Sequence, residues 1–145
     1  MSSKVSQWPV RVYYEDTDAG GIVYYANYLK FLERARTELL REIGMFQSQI
    51  ARDHSKIFVV GDVQARYLAP ARLDDELIVE TSVLRIGGAS LQLEQNVFKR
   101  LDNEESMLLK GSVTLVYITH AGKSKRLPDA MRTALESYVV TKEEK

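Results

Sequence analysis

One long amphipathic segment, followed by an abrupt change of period, constrains the fold of this chain more than any other feature. From about Asn27 to Ile43 the spacing of apolar residues is helical. These residues are Leu29, Leu32, Leu39, Leu40 and Ile43. Asn27 is expected to cap the helix and Gly44 to end it. The pattern predicts one helix of about four to five turns with a charged face opposite the apolar one.

Downstream of the helix the apolar residues alternate with polar ones, as they do in strands with one buried face. The first alternating run covers residues 59–67 and is closed by Pro70. Three further runs of strand character cover residues 77–86, 91–100 and 107–118. Short turns join these runs, so we expect a four-strand antiparallel meander and not a parallel sheet with crossover helices.

The predicted elements assemble into an α+β fold in which one antiparallel sheet curls around one central helix. A strand over residues 8–14 precedes the helix, a short helix is expected within residues 128–140, and residues 142–145 are expected to fray. The chain has 145 residues, and we expect a single domain over residues 1–145. Such a sheet has free edges, which favours a dimer that covers them.

Composition narrows the classes of function. The 20 basic and 20 acidic residues give a formal net charge of zero, which does not favour binding to nucleic acid or to an anionic membrane. The absence of cysteine excludes disulfides, thiolate metal sites and a cysteine nucleophile. The sequence lacks the apolar run of a signal peptide and a stretch as long as a membrane span, so we expect a cytoplasmic protein without stable membrane insertion.

The residues best suited to catalysis lie in the polar turn that leads into the helix. Asp16 and Asp18 are two residues apart, and Gly20 and Gly21 follow them. Glycines let a substrate approach the backbone closely, and the free N–H groups at a helix start can hold a developing oxyanion. Asp18 is therefore predicted to attack an activated acyl group, such as a thioester, or to deprotonate the attacking water. Asp16 is expected to cap the turn.

Two other chemistries of the aspartate pair fit less well. A calcium loop beginning at Asp16 would have Gly20 at its fifth position and Asn27 where a bidentate glutamate belongs. The Asp-x-Asp nucleophile motif of haloacid-dehalogenase-type phosphatases follows a parallel strand in a doubly wound fold, which the meander contradicts.

Three further residues have side chains that often take part in catalysis or metal binding. His54 and His120 lack metal-ligand spacing with another histidine, and Ser90 lacks the Gly-x-Ser-x-Gly elbow of serine hydrolases. We therefore expect loop or surface roles for both histidines, and neither a metal site nor a cofactor.

The turn belongs to a longer pattern that resembles a known family. Residues 12–24 read Val-Tyr-Tyr-Glu-Asp-Thr-Asp-Ala-Gly-Gly-Ile-Val-Tyr, followed by Ala-Asn-Tyr at 26–28 and Glu-Arg-Ala-Arg-Thr-Glu at 33–38. With residues 67–75, Tyr-Leu-Ala-Pro-Ala-Arg-Leu-Asp-Asp, this pattern resembles the 4-hydroxybenzoyl-CoA thioesterase family, and most closely its YbgC branch. The resemblance covers most of the chain. It implies a hotdog fold whose sheets join in a dimer and which assembles further to a tetramer.

The resemblance implies a thioesterase acting on acyl-CoA or on acyl-carrier protein, and it assigns catalytic residues. Asp18 matches the catalytic carboxylate, and Tyr14 matches a residue implicated in the YbgC site. The backbone N–H near Tyr25 matches the donor that polarises the thioester carbonyl. Proteins of the YbgC type commonly have histidine where this chain has Tyr25, and a phenol with an ordinary pKa near ~10 is not a base at neutral pH. The Tyr25 hydroxyl is expected to donate a hydrogen bond or to shape the acyl pocket.

Substrate binding is assigned to a second set of residues. Gly21 and Tyr24 are predicted to bind the substrate. By resemblance Ser90 joins them, because in relatives a serine or threonine of this region lies near the pantetheine or contributes to the site across the dimer. Five cations on strands are candidates for the CoA phosphates, although each is more simply a solvated charge. They are Arg66, Arg85, Lys99, Arg100 and Lys110. The resemblance also implies an association with acyl-carrier protein and the Tol-Pal envelope system.

Two alternatives to hydrolysis stay open. A binding module would hold an acyl thioester or acyl-carrier protein without turnover, and would show saturable binding and no thiol release. A hotdog dehydratase or hydratase would need a histidine paired with a carboxylate, and neither His54 nor His120 lies in a recognisable motif of that kind.

Overall fold

The computed structural model describes residues 4–140, in which one antiparallel sheet accompanies one long and two short α-helices. The strands are β1 (Ser6–Arg11), β2 (Lys56–Tyr67), β3 (Glu76–Ile86), β4 (Ser90–Leu101) and β5 (Glu104–Thr119). The helices are α1 (Tyr28–Glu42), α2 (Gln47–His54) and α3 (Asp129–Glu136). The strand order is β1-β3-β4-β5-β2, and all neighbours are antiparallel. The predicted α+β class and the antiparallel sheet are confirmed. The predicted four-strand meander is wrong at its first strand: β3, β4 and β5 are consecutive neighbours, whereas β2 pairs with β5 at the edge of the sheet and not with β3.

Helix α1 lies on the inner face of the sheet. It buries Phe31, Leu32, Ala35 and Leu39, whose spacing places them on one side of the helix. The helix ends as predicted at Gly44, which has a φ of 83° that glycine adopts without strain. The last turn closes with hydrogen bonds from Gly44 N–H to the Arg41 carbonyl at 2.9 Å and from Met45 N–H to the Leu40 carbonyl at 2.8 Å.

The start of α1 differs from the prediction, because Asn27 does not cap the helix with its side chain. Asn27 has helical backbone angles, and a single 3₁₀ turn, Tyr25–Asn27, precedes α1. The Asn27 side-chain amide donates to Asp16 Oδ1 at 2.8 Å instead. A tertiary contact has therefore replaced the local cap that the sequence suggested.

Two other element predictions need correction. The first strand does not reach Tyr14, because the Tyr13 N–H donates to the Asp16 carboxylate and the chain turns into a 3₁₀ segment, Tyr14–Asp16. The sequence analysis also missed α2, whose single buried residue, Ile50, leaves no apolar periodicity to detect. The short helix expected within residues 128–140 is present as α3, whereas residues 142–145 lie outside the described part of the chain. A single domain over residues 1–145 stays a prediction.

Strand β2 is an edge of the sheet and lies largely outside the cover of α1. Its residues Val60, Val63 and Tyr67 pair with residues of β5 that point into the core, so they share the inner face of the sheet. All three are nevertheless exposed. The fold therefore leaves an apolar surface open along one edge of the sheet.

Within residues 4–140, no helix has the length and apolarity needed to span a bilayer.

Candidate active site

Asp18 lies at the tip of a tight turn that its own backbone closes. Its N–H donates to the Ile22 carbonyl at 3.0 Å, and Gly21 N–H donates to the Asp18 carbonyl at 3.0 Å. Gly20 N–H donates to Asp18 Oδ1 at 2.9 Å, and Gly21 has a φ of 78°. Among the described residues, Oδ2 accepts no hydrogen bond. The exposed carboxylate is thus oriented through one oxygen and has the other available for chemistry.

Asp16 points the other way and is buried. Its Oδ2 accepts from Tyr13 N–H at 2.8 Å, and its Oδ1 accepts from the Asn27 side-chain amide at 2.8 Å. Its backbone carbonyl accepts from Tyr24 N–H at 3.2 Å. These contacts join the Asp18 turn to the start of α1 in one hydrogen-bonded unit, which supports the structural role expected for Asp16.

Replacing Asp16 with alanine is expected to lower the free energy of unfolding by about 2–4 kcal/mol, because two donors lose their acceptor in a part-buried setting. The matched change Asp18→Ala removes a single exposed hydrogen bond and should cost less than about 1 kcal/mol. Denaturant unfolding followed by circular dichroism measures both. Equal losses for the two variants would contradict the structural role of Asp16.

The start of the 3₁₀ turn before α1 provides unpaired donors. Tyr24, the residue before this turn, offers no side-chain cap, and Asn27 N–H donates to the Tyr24 carbonyl at 2.8 Å. Within residues 4–140, the N–H groups of Tyr25 and Ala26 donate to no acceptor. Free N–H groups at the positive end of a helix are suited to an oxyanion. The Tyr25 N–H, which is predicted to polarise the thioester carbonyl, is thus free among the described residues, and its role stays a prediction.

Four tyrosines cluster beside these donors. The ring centroids of Tyr24 and Tyr25 are 4.8 Å apart, those of Tyr25 and Tyr67 6.1 Å, and those of Tyr28 and Tyr67 5.6 Å. The Tyr67 hydroxyl donates to the Tyr25 carbonyl at 3.1 Å, which fixes the 3₁₀ turn against β2. Burial raises the pKa of Tyr28 and of Tyr67. These two phenols therefore stay protonated at neutral pH and act as hydrogen-bonding groups, not as bases.

Two predicted site residues differ in their position relative to Asp18. Tyr14 is 80% exposed and lies in the 3₁₀ segment just before the Asp18 turn, where its carbonyl accepts from the Thr17 N–H at 3.1 Å. Ser90 is the first residue of β4 and lies beside the turn that follows the last residue of β3. The Asp18 turn lies near the first residue of β3, because Ile22 forms a β-bridge with Arg72, four positions before that strand begins. The 11 residues of β3 span roughly 35 Å. A role for Ser90 therefore requires a second copy.

The cations predicted to meet the CoA phosphates separate into two groups. Lys99 pairs with Asp75 at 3.4 Å and Arg100 pairs with Glu105 at 2.8 Å, so their charges are already balanced. Arg66 and Lys110 are register partners on β2 and β5, and Arg85 is exposed near the end of β3.

Among residues 4–140, no cluster of histidine and carboxylate side chains could hold a metal ion.

Sequence reasoning missed one basic segment, the loop after β5. Its cations Lys123, Lys125 and Arg126 are exposed. The Lys125 N–H donates to the Tyr117 carbonyl at 2.9 Å, and the Leu127 N–H donates to the Gly88 carbonyl at 2.9 Å. These two hydrogen bonds hold the loop against the β3–β4 turn. The sequence shows three cations within four residues, but it does not show that the fold places them beside the β3–β4 turn.

Comparison with known proteins decides the family. A model of the thioesterase superfamily matches residues 20–105, which begin just after Asp18 and include the tyrosine cluster. The chain belongs to the thioesterase superfamily. The chain is 45% identical to the acyl-CoA thioester hydrolase YbgC of Escherichia coli O6:H1 over 125 residues, covering 86% of this chain and 90% of the relative. It is 46% identical to the acyl-CoA thioesterase YbgC of Haemophilus influenzae over 118 residues, covering 81% and 83%.

A solved structure agrees on the fold of this thioesterase. A 4-hydroxybenzoyl-CoA thioesterase variant crystallised with 4-hydroxybenzoyl-CoA superposes with a TM-score of 0.87 over 92% of this chain and 100% of that chain. The two sequences are 17% identical, so this likeness bears on the fold alone. The predicted hotdog fold, the resemblance to the YbgC branch and the assignment as a thioesterase are confirmed.

Proposed function

We propose that this thioesterase hydrolyses acyl-CoA to a free acid and CoA, with Asp18 as the working carboxylate. The observation that carries the proposal is the pairing of a displayed carboxylate with free helix-start N–H groups in one hydrogen-bonded unit. The relatives of 45% and 46% identity are acyl-CoA thioesterases by name, which supports the choice of substrate.

In this proposal the thioester carbonyl accepts a hydrogen bond from the Tyr25 N–H. Asp18 Oδ2 either takes a proton from water, whose oxygen attacks the carbonyl carbon, or attacks that carbon itself to form a mixed anhydride that water then cleaves. The negative charge that develops on the carbonyl oxygen is stabilised by the N–H groups at the helix start. In both routes the C–S bond breaks and CoA leaves as a thiolate. Asp18 returns its proton to this thiolate in the first route, whereas in the second route the thiolate takes a proton released by the water that cleaves the anhydride.

A panel of acyl-CoA substrates, followed by thiol release, tests this function. We expect turnover of at least one member without added metal and without inhibition by a chelator. Saturable binding of the same panel without thiol release would favour the alternative of a binding module. Acyl-carrier protein as the natural thioester donor, the Tol-Pal system as its setting and the cytoplasm as its location are further proposals that rest on the YbgC resemblance.

The proposed assembly is a homodimer joined at β2, and through it a homotetramer. The edge of β2 carries unpaired backbone groups, and its inner face exposes Val60, Val63 and Tyr67, a combination that invites pairing with another strand. A second copy related by a two-fold axis would run antiparallel to β2. The Lys56 end of one copy would then lie beside the Tyr67 end of the other.

This arrangement would bring the loop cations Lys123, Lys125 and Arg126 of one copy towards the Asp18 turn of the other, because Lys56 pairs with Thr119, just before the loop. Exchanging the three cations for glutamine should raise KM for an acyl-CoA about 10-fold, as phosphate contacts are lost. The same acyl group on N-acetylcysteamine, which lacks the nucleotide, should keep its KM.

The control for this prediction exchanges Arg66 and Lys110 for glutamine. Both point to the outer face of the sheet, away from the Asp18 turn, so we no longer expect them to contact the CoA phosphates, and the exchange should leave both KM values unchanged. Equal effects of the loop exchange on both thioesters would remove the loop from the CoA site.

A further inference from the structure

A half-buried arginine faces the inner side of the sheet from the middle of α1, and it is short of partners. Among residues 4–140, the Arg36 guanidinium makes one hydrogen bond, from Nη1 to Gln95 Oε1 at 3.4 Å, and no ion pair within 4.0 Å. A guanidinium carries five N–H donors. Burial lowers the pKa of Arg36, and the charge of Glu33 partly offsets that effect.

The surroundings of Arg36 do not supply the missing acceptor. Gln95 is fully buried, and its amide donates to the Leu32 carbonyl at 2.9 Å and to Thr81 Oγ1 at 3.0 Å, so the orientation of its Oε1 is fixed. Glu33 is exposed, and its Oε2 accepts from the Thr37 hydroxyl at 2.6 Å. Among residues 4–140, most donors of Arg36 therefore have no protein acceptor and are available to a ligand.

Arg36 lines a cavity of about 310 Å³ between the helices and the edge of the sheet. The other lining residues are Glu33, Gln47, Phe58, Val60 and Leu115. The floor is thus apolar, and the charged groups lie on the α1 side. A cavity of this kind suits a ligand with an apolar body and an oxygen acceptor at one end.

The cavity is aligned with the candidate active site. Leu29, Glu33 and Arg36 follow one another on α1 at intervals of four and three positions, which places them along one stripe of the helix. Tyr25 lies in the 3₁₀ turn four positions before Leu29. Val60, which lines the cavity, shares the inner face of β2 with Val63 and Tyr67, and the Tyr67 hydroxyl donates to the Tyr25 carbonyl at 3.1 Å. The inner face of β2 therefore leads from the 3₁₀ turn to the cavity at Arg36, and in the proposed dimer this face also meets the second copy.

We propose that Arg36 determines substrate specificity by binding an oxygen acceptor, most strongly a carboxylate, at the far end of the acyl group. This inference rests on the proposed function and names its substrate class, an acyl-CoA with a polar ω end. The 11 positions from Tyr25 to Arg36 correspond to roughly 16 Å of helix. For the proposed contact, the Arg36 side chain turns from Gln95 along the helix towards Tyr25, which shortens that path to roughly 10 Å, the length of about eight bonds.

A matched pair of substrates tests the proposal: octanoyl-CoA and suberoyl-CoA, which differ only in the terminal carboxylate. We expect a higher kcat/KM for suberoyl-CoA with the parent protein. Arg36→Gln should lower the suberoyl-to-octanoyl ratio at least ~10-fold, mainly through KM, because the ionic contact is lost. Arg36→Lys keeps the charge and should restore part of the ratio.

Two further variants make the result decisive. Arg34→Gln removes an exposed arginine from another face of α1 and should leave the ratio unchanged. Glu33→Gln removes the competing anion at an exposed position and should raise the ratio, which tests the site even where Arg36→Gln fails to fold. A ratio unchanged in the folded Arg36 and Glu33 variants would overturn the inference. Absence of hydrolysis for every thioester would instead overturn the proposed function.

Discussion

Replacing Asp18 with asparagine is expected to lower kcat/KM for acyl-CoA hydrolysis at least ~100-fold while the fold stays intact. The amide oxygen of asparagine can still accept the Gly20 N–H, so the turn that now forms through Asp18 Oδ1 should persist. The neutral amide can neither attack the thioester carbonyl nor take a proton from water at neutral pH. The observable is the initial rate of thiol release, with circular dichroism and thermal unfolding as measures of fold.

The same variant separates chemistry from binding. Because the Tyr25 N–H and the tyrosine cluster are unchanged, the substrate should still bind, and the loss should fall on kcat. A variant as active as its parent would remove Asp18 from the mechanism. A variant with a raised KM and an unchanged kcat would make Asp18 a binding residue. Another group of the turn would then have to be the catalytic one.

Replacing Val63 with lysine is expected to convert a dimer into a monomer and to abolish most of the activity. Val63 is 38% exposed on the inner face of the edge strand, so the single chain tolerates a charge there by extending it into solvent. In the proposed dimer the same charge would be buried without a partner, at a cost of several kcal/mol. The dissociation constant should rise at least ~100-fold, as measured by light scattering over a range of concentrations.

A matched control for Val63 lies next to it on the same strand. Gln64 pairs with Ser112 and points to the outer face, so Gln64→Lys adds the same charge without entering the proposed interface. This variant should stay dimeric and active. A parent protein that is monomeric and fully active, or a Val63→Lys protein that stays dimeric, would contradict assembly through β2.

Local patterns account for the elements that the sequence analysis located correctly. The apolar stripe of α1, the left-handed glycine at position 44 and the alternation along β3 to β5 are properties of neighbouring residues. Elements without such a pattern were missed or misplaced. Helix α2 buries only Ile50. Asn27, which was predicted to cap α1, donates its side-chain amide to Asp16 instead, because the fold brings that carboxylate within 2.8 Å.

The candidate site divides in the same way. The sequence by itself determined the fold class and the family, and it placed a carboxylate, two glycines and a helix start within a few positions, since all of these are read from short stretches of chain. Only the tertiary structure decided that Asp16 is buried whereas Asp18 is exposed to solvent, and that Ser90 lies at the other end of the sheet. It also decided that Arg36 lines a cavity with most of its N–H donors unbound by the described residues. Burial and hydrogen-bond partners at these positions come from residues distant in sequence, whose meeting depends on strand order and register.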